Sequence, residues 1–450
     1  MSSTRSSVRW LPAIGLVALV GCSTPAATVS TPPRASPSTA PATQAPSASA
    51  ALTASAGDAW LIVSDSTKPT LRVILDSTLE NIFELPVGAP DDTWGHVLTA
   101  TPGDKTTRIQ NLVVQPGFGG STQDIDGRWR LPTVGLDPIP GGVSADRSTI
   151  VLVEADAEHG AAGSDRTVSR FAVVDGRLGL ADPPRIIELE GAFDYDALSP
   201  DGTLLYVAEQ VPGPLEARYQ VRAVETATGR MRDAIIVDKR NIDEEMAGWP
   251  VDQVRRADGI VMTLYRGAEY PFVHALSSKE AWAICIDLPT RGFDDVEAAA
   301  DWGIVSLGAG KSDLAVNATL GIAVEINADL SVKRSVDFKP SAVAAVGLAK
   351  FGHGELGPAD RRVIAAPDGA SVFAAGEGGI VRLGAADLDV QQRYLTGTAI
   401  DGLTLTPDGT TLFALTRTGG RIARLDVATG EVERWVGEGG FDRLLGALPW

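Results

Sequence analysis

From Gly57 onward, apolar residues come in short runs, each cut by a cluster of turn residues, with no sustained helical period. The unit is clearest in AIDGLTLTPDGTTLFALTRTGGRIARLDVATGEVERWV, Ala399 to Val436. β-Branched and aromatic residues concentrated between breakers predict strands. Here four are predicted: Gly402–Thr406, Thr411–Arg417, Arg421–Val427 and Glu431–Val436. Between the first two lies Thr406-Pro407-Asp408-Gly409. Proline presets φ, aspartate caps the turn with its side chain, and glycine takes the left-handed conformation.

The unit recurs. Ser199-Pro200-Asp201-Gly202 precedes LLYVAE, and Ala366-Pro367-Asp368-Gly369 precedes SVFAAG. Weaker copies begin at Leu98, Val143 and Arg255. A further stretch, SLGAGKSDLAVNA, ends its glycines in Gly310-Lys311-Ser312 and so looks like a phosphate-binding loop. Aligned with the repeat, Gly308 to Lys311 falls on the turn, between strands predicted at Gly303–Leu307 and Asp313–Asn317. A true phosphate loop needs an earlier glycine, where this chain has Val305, and a helix to follow. A hairpin is predicted instead.

Taking the third residue of each turn gives positions 103, 146, 201, 258, 310, 368 and 408, at intervals of 43, 55, 57, 52, 58 and 40. Four strands per unit at such a period predict a β-propeller, all-β and a single domain from 57 to 450. The ends predict closure. Ala59 to Val87 supplies three strands and lacks an inner one, and FDRLLGALP near Trp450 matches the missing strand in polarity. Pairing of the N- and C-terminal strands would remove two open edges. Seven turns plus the composite blade give eight blades. Seven remain open, because Trp94 to Pro140 is poor in clear strands and could merge with the first segment.

The turns at 199–202, 366–369 and 406–409, with the strands after them, resemble those of YVTN-type and WD-repeat-like propellers of bacteria. The resemblance spans Gly57 to Trp450 and implies the fold. Such propellers include binding scaffolds, lactonases and subunits of quinone-dependent dehydrogenases. The shared residues are turn residues, so no catalytic or cofactor-binding residue is carried over, and fold alone does not choose among functions.

The N-terminus changes the picture of location. Arg5 and Arg9 precede an apolar run from Trp10 to Val20, too short to span a bilayer. It ends in Leu19-Val20-Gly21-Cys22, which resembles a bacterial lipobox. Residues 1–21 are thus expected to be a lipoprotein signal peptide and Cys22 the lipidated residue. Thirty of the 34 residues from Ser23 to Ala56 are Ala, Ser, Thr or Pro. That composition cannot bury enough apolar surface to offset ordering entropy and predicts a tether. The expected location is the cell envelope, lipid-anchored on the extracytoplasmic face of a bacterial membrane.

Charge and candidate chemistry narrow the function. The net charge of −18 disfavours nucleic acid as a partner. With Cys22 lipidated, only Cys285 remains, so no intrachain disulfide is expected. Cys285 lies in an apolar strand-like run and reads as a buried thiol. His96, His159, His274 and His353 show no metal-ligand spacing, and His274 reads as structural. Asp124-Ile125-Asp126-Gly127 and Asp194-Tyr195-Asp196 fall short of a calcium loop and read as turn or rim acids. Asn317-Ala318-Thr319 matches a glycosylation sequon but falls on a predicted strand. No nucleophile elbow or c-type haem motif occurs. The expectation is a monomeric, non-catalytic scaffold, without cofactor or metal, for an envelope protein, a glycan or a small molecule. The alternative is an enzyme with a central-channel site, lactonase-like or quinone-linked.

Overall fold

The computed structural model describes residues 58–449, except 65–69, 115–119, 136–138, 157–165, 180–181, 212–217, 241–245, 267–269, 290–300, 309 and 341–360. Residues 1–57, with Cys22 and the stretch expected to be a tether, lie outside the described part, as do His159 and His353.

The described residues form eight sheets. Blade 1 opens with β1 (Ala59–Ser64), β2 (Thr70–Leu75) and β3 (Asn81–Pro86). Blade 2 has β4 (Gly88–Pro90), β5 (His96–Pro102), β6 (Thr106–Val113) and β7 (Gly120–Asp126). Blade 3 has β8 (Trp129–Arg130), β9 (Thr149–Glu154), β10 (Val168–Asp175) and β11 (Arg185–Glu190). Blade 4 has β12 (Phe193–Leu198), β13 (Leu204–Gln210), β14 (Arg218–Glu225) and β15 (Met231–Ile236), with short β16 (Met246–Ala247) added to β14. Blade 5 has β17 (Trp249–Arg255), β18 (Ile260–Arg266), β19 (Pro271–Ser277) and β20 (Trp282–Asp287). Blade 6 has β21 (Trp302–Ser306), β22 (Asp313–Asn317), β23 (Ile322–Ile326) and β24 (Val332–Asp337). Blade 7 has β25 (Val363–Ala365), β26 (Ser371–Gly376), β27 (Gly379–Gly384) and β28 (Val390–Tyr394). Blade 8 has β29 (Ile400–Leu405), β30 (Thr411–Thr416), β31 (Ile422–Asp426) and β32 (Val432–Val436). The last strand, β33 (Arg443–Pro449), returns to pair with β1 from Ala59↔Pro449 to Ser64↔Arg443. It is the missing inner strand that the sequence predicts, and the protein is an eight-bladed β-propeller.

The core explains why each blade needs its neighbours. Eight apolar clusters exist, and each joins two successive blades, the last joining blade 8 to blade 1. Phe413, Leu415 and Ile422 of blade 8, for example, pack on Leu61, Val63 and Ile74 of blade 1. A blade is therefore apolar on both faces. The second strand shows it best: all of Thr411–Thr416 is buried. Outer strands such as β32 are largely exposed.

The repeated turns behave as their residues require. The Asp408 carboxylate accepts the Thr406 hydroxyl at 2.6 Å and the Thr410 amide at 3.0 Å, and Gly409 has φ +71°. Those bonds to the Thr406 hydroxyl and Thr410 amide hold its carboxyl below the usual range. Asp201 and Asp146 make the same turn. Gly308–Lys311 closes the β21–β22 hairpin, so a strand follows where a phosphate loop would need a helix.

One expectation is corrected. The Gly103 turn joins β5 to β6, the second and third strands of blade 2, not the first two. The equivalent turn is Asp91–Gly95, where Asp91 accepts the amides of Thr93 at 3.1 Å and Gly95 at 2.9 Å. Measured from Asp91, the interval to Asp146 becomes 55, in line with the next blade. The stretch that could have merged two blades, Trp94 to Pro140, holds β5 to β8.

Candidate functional site

In each blade the inner strand starts at one face of the ring, and the hairpin between the second and third strands turns at that same face. We call it the mouth. The Asp-Gly turns lie on the opposite face.

At the mouth, blades 6 to 8 share an ionic network. Asp301 immediately precedes β21, Arg362 precedes β25, Asp401 lies on β29 and Arg417 follows β30. Arg417 Nε donates to Asp401 Oδ1 at 2.6 Å, and its Nη2 lies 3.3 Å from Asp301 Oδ1. Arg362 pairs with Asp301 and reaches Asp401 at 3.4 Å. Glu377, in the β26–β27 hairpin, pairs with Arg417, and Thr319 donates its hydroxyl to Asp301. The contact between Arg417 of blade 8 and Asp301 of blade 6 skips blade 7, so the network sits where inner strands converge on the axis. Burial pushes the Asp401 carboxyl up, with Arg362 opposing.

Blades 3 to 5 supply the other side. Asp194, on β12, accepts Arg166 Nη2 at 2.9 Å and Gln210 Nε2 at 3.0 Å. Arg130, on β8, is half-buried beside it, and Trp249 begins β17 with 45% of its surface exposed. Asp252 accepts the Ile304 amide at 2.9 Å, and burial raises its pKa. Asp196 is buried, with its pKa raised to about 7 by desolvation against the weaker pull of Arg255. A second contact that skips a blade marks the opposite end of the axis. Arg255 of blade 5 donates to Val143 O of blade 3 at 3.4 Å and to the Tyr195 hydroxyl at 2.7 Å. That hydroxyl also accepts the Gly142 amide at 3.1 Å.

The sequence-level candidates distribute as follows. Asp194 and Asp196 are not turn or rim acids: they lie on an inner strand near the axis. Asp124 is on the outermost strand of blade 2, paired with Arg108 at 3.0 Å, and Gly127 turns with φ +95°. His96 starts β5 and is exposed. Asn317 is buried at the end of β22, where its side chain accepts the Leu320 amide at 2.9 Å. Among the described residues, no group of three or more His, Cys, Asp or Glu is arranged to hold a metal.

Cys285 and His274 are cross-strand partners in β19–β20, with Sγ 3.6 Å from Nδ1. The sequence carries this signal: positions 274 to 285 fold about a four-residue turn, so their register follows once the hairpin is recognised. Both side chains are buried, and desolvation pushes His274 down to about 4, against Asp238. Edge contacts from His274 to Tyr219 and Tyr265, at 6.5 and 6.3 Å, seal the pair between blades 4 and 5. A thiol without solvent access and a neutral imidazole make packing, not nucleophilic chemistry.

No family model matches the chain, and no curated protein matches it. Many solved structures are similar in fold. The dihydro-heme d1 dehydrogenase NirN, solved with DHE, is 13% identical, with 87% of this chain and 75% of that one covered at a TM-score of 0.50. Apo AztD from Citrobacter koseri is 11% identical, with 87% and 98% covered at 0.49. The periplasmic gluconolactonase PpgL of Pseudomonas aeruginosa is 17% identical, with 78% and 98% covered at 0.40. At these identities the likeness is one of fold: this chain is an eight-bladed propeller similar in architecture to proteins of differing activity.

Proposed function

We propose that this chain is a lipid-anchored, extracytoplasmic β-propeller whose mouth binds a partner without catalysis. One observation carries the binding half. Asp301, Arg362, Asp401 and Arg417, from blades 6 to 8, are committed to one network joining three blades, which ties the inner strands into a platform under the mouth loops. The anchoring half rests on Arg5, Arg9, the apolar run and Leu19-Val20-Gly21-Cys22.

Three experiments test it. Expressed in a bacterium fed labelled fatty acid, the chain takes up label on Cys22 and stays with the membrane, and Cys22→Ser releases it. Soluble retention of the unaltered chain sinks the anchor. Immobilised chain retains an envelope protein or glycan, competed by free chain but not by chain carrying Arg361→Glu, a change at the exposed residue just before Arg362. Turnover of lactones by the purified chain removes the non-catalytic reading. It would favour the second reading, an enzyme with a channel site, which the raised carboxyls of Asp252 and Asp401 support.

A further inference from the structure

Most guanidinium groups shielded at the blade junctions meet a carboxylate. Arg166 has Asp194, Arg256 has Asp313 and Arg424 has Asp76, each within 3.2 Å. Arg266 departs from this pattern. It closes β18 at the mouth, half-buried, and burial pushes its pKa down, with no acid among the described residues opposing the shift. Arg130 is similar. Its Nη1 reaches only the Leu131 carbonyl, at 3.5 Å, and burial again pushes it down. Asp194 is the acid that opposes this shift, but its two oxygens already serve Arg166 and Gln210. A desolvated guanidinium without a counter-charge is costly, and its planar fork of donors matches an oxyanion.

Trp249 stands in cross-strand register with Arg266, so an exposed indole and an unmatched cation share one end of blade 5. Blade 3 is drawn to the same spot. The backbone leaving Arg130 seats Gly135, at φ +56°, against Pro250: a Cβ at Gly135 would fall 2.1 Å from the Pro250 carbonyl oxygen. Blades 3 and 5 are not neighbours, so this contact passes over the inner edge of blade 4. It brings the chain that follows Arg130 beside Trp249.

We propose that Arg130, Arg266 and Trp249 form a binding site for a small planar organic anion, a ring bearing a carboxylate. The guanidinium forks take the carboxylate and the indole takes the ring face. The inference rests on reading the mouth as the recognition surface, and it names the class of ligand.

The test is saturation-transfer NMR with the full chain in detergent micelles. Benzoate is the probe, with benzamide as the uncharged ring and inorganic phosphate as the ringless anion. Benzoate saturates and benzamide does not. Arg266→Gln and Arg130→Gln each weaken benzoate about tenfold or more, the loss of a charged hydrogen bond. Arg266→Lys restores part of the affinity, and Trp249→Ala removes ring saturation. Circular dichroism and melting check that each variant is folded. Three results overturn the proposal: no saturable benzoate binding, equal binding of benzamide, or benzoate binding indifferent to Arg266→Gln and Arg130→Gln. Phosphate binding without benzoate binding is a case of the first, because the ring half then contributes nothing. An empty partner column alongside saturable benzoate would sink only the macromolecular partner, and the converse would sink only the anion site.

Discussion

Beside the β33–β1 pairing and the apolar cluster at the seam, one buried carboxylate clasps the ring, and removing it is the sharpest test of the fold. Asp76 lies just past β2 in blade 1 and its side chain has no exposure. Its Oδ1 accepts the Ala59 amide at 2.9 Å, at the start of β1. Its Oδ2 accepts Arg424 Nη1 and Arg434 Nη2 of blade 8, each at 2.5 Å. Thus one side chain ties the first strand to the last complete blade. Asp76→Ala orphans a backbone donor and takes a counter-charge from two guanidinium groups. Breaking a buried pair costs about 3–5 kcal/mol when nothing compensates. Here Arg424 keeps Glu433 at 2.6 Å, and Arg434, 36% exposed, keeps Asp58 at 3.6 Å. The expected loss is therefore at the low end, about 3 kcal/mol. Asp76→Asn keeps an acceptor for Ala59 and loses less, about 1–2 kcal/mol. Urea unfolding measures both, with Asp124→Ala as control. That exposed pair with Arg108 is worth under about 1 kcal/mol. Hydrogen exchange in Asp76→Ala should rise first in β1, β2 and β33, and least in blade 5. If Asp76→Ala unfolds at the same urea concentration as Asp124→Ala, the clasp argument is wrong.

Other outcomes follow from the same reasoning. Asp196, protonated to about pH 7 when folded and ionised from about 3.8 when unfolded, makes the protein lose stability as pH rises between those values. The loss is up to about 4 kcal/mol, so Asp196→Asn should stabilise at pH 8 and do little at pH 4, and equal effects at both pH values would refute it. Gly202, at φ +69° with Thr149 Oγ1 2.2 Å from a would-be Cβ, should not tolerate alanine; a drop of at least about 1 kcal/mol in a urea titration is expected, whereas Gly308→Ala meets no atom within 4 Å and pays only for its φ. Cys285 should resist a thiol reagent in the native chain and react fully in denaturant; rapid native labelling would show that the His274–Cys285 pair is open to solvent.

What the sequence makes legible is local. A turn of the Ser-Pro-Asp-Gly kind binds its own neighbours, as Asp201 does with Ser199 and Thr203, so three or four letters suffice to place it. Blade 2 shows the failure of the same logic. Thr101-Pro102-Gly103-Asp104 has turn residues too, and nothing local says which pair of strands it joins. Only the core settles that, because Leu98 and Ile109 must both face blade 3. Closure by the last strand was legible because an absence and a surplus, at opposite ends of the chain, matched in polarity.

The axis was not legible, for a geometric reason. Blades pack radially, so residues that meet at the mouth can come from alternate blades and lie a hundred or more positions apart, as Asp301 and Arg417 do. No single period relates the whole set, although Asp194 and Asp401 do stand at one repeat position, each seven residues before a turn aspartate, Asp201 and Asp408. In the sequence Asp194 reads as a turn or rim acid, and nothing there singles out Asp252 or Asp401. The same geometry tells where function belongs. Turn residues repeat because every blade needs the same hairpin. The inner ends vary more: β8, β17 and β21 begin with Trp129, Trp249 and Trp302, and β12, β25 and β29 with Phe193, Val363 and Ile400, and that looser adherence to the repeat is what a recognition site requires. Arg266 and Trp249 stand out on this basis: Trp129 and Trp302 face Glu154 and Asn317, and among the described residues Trp249 is the one that begins an inner strand opposite an arginine.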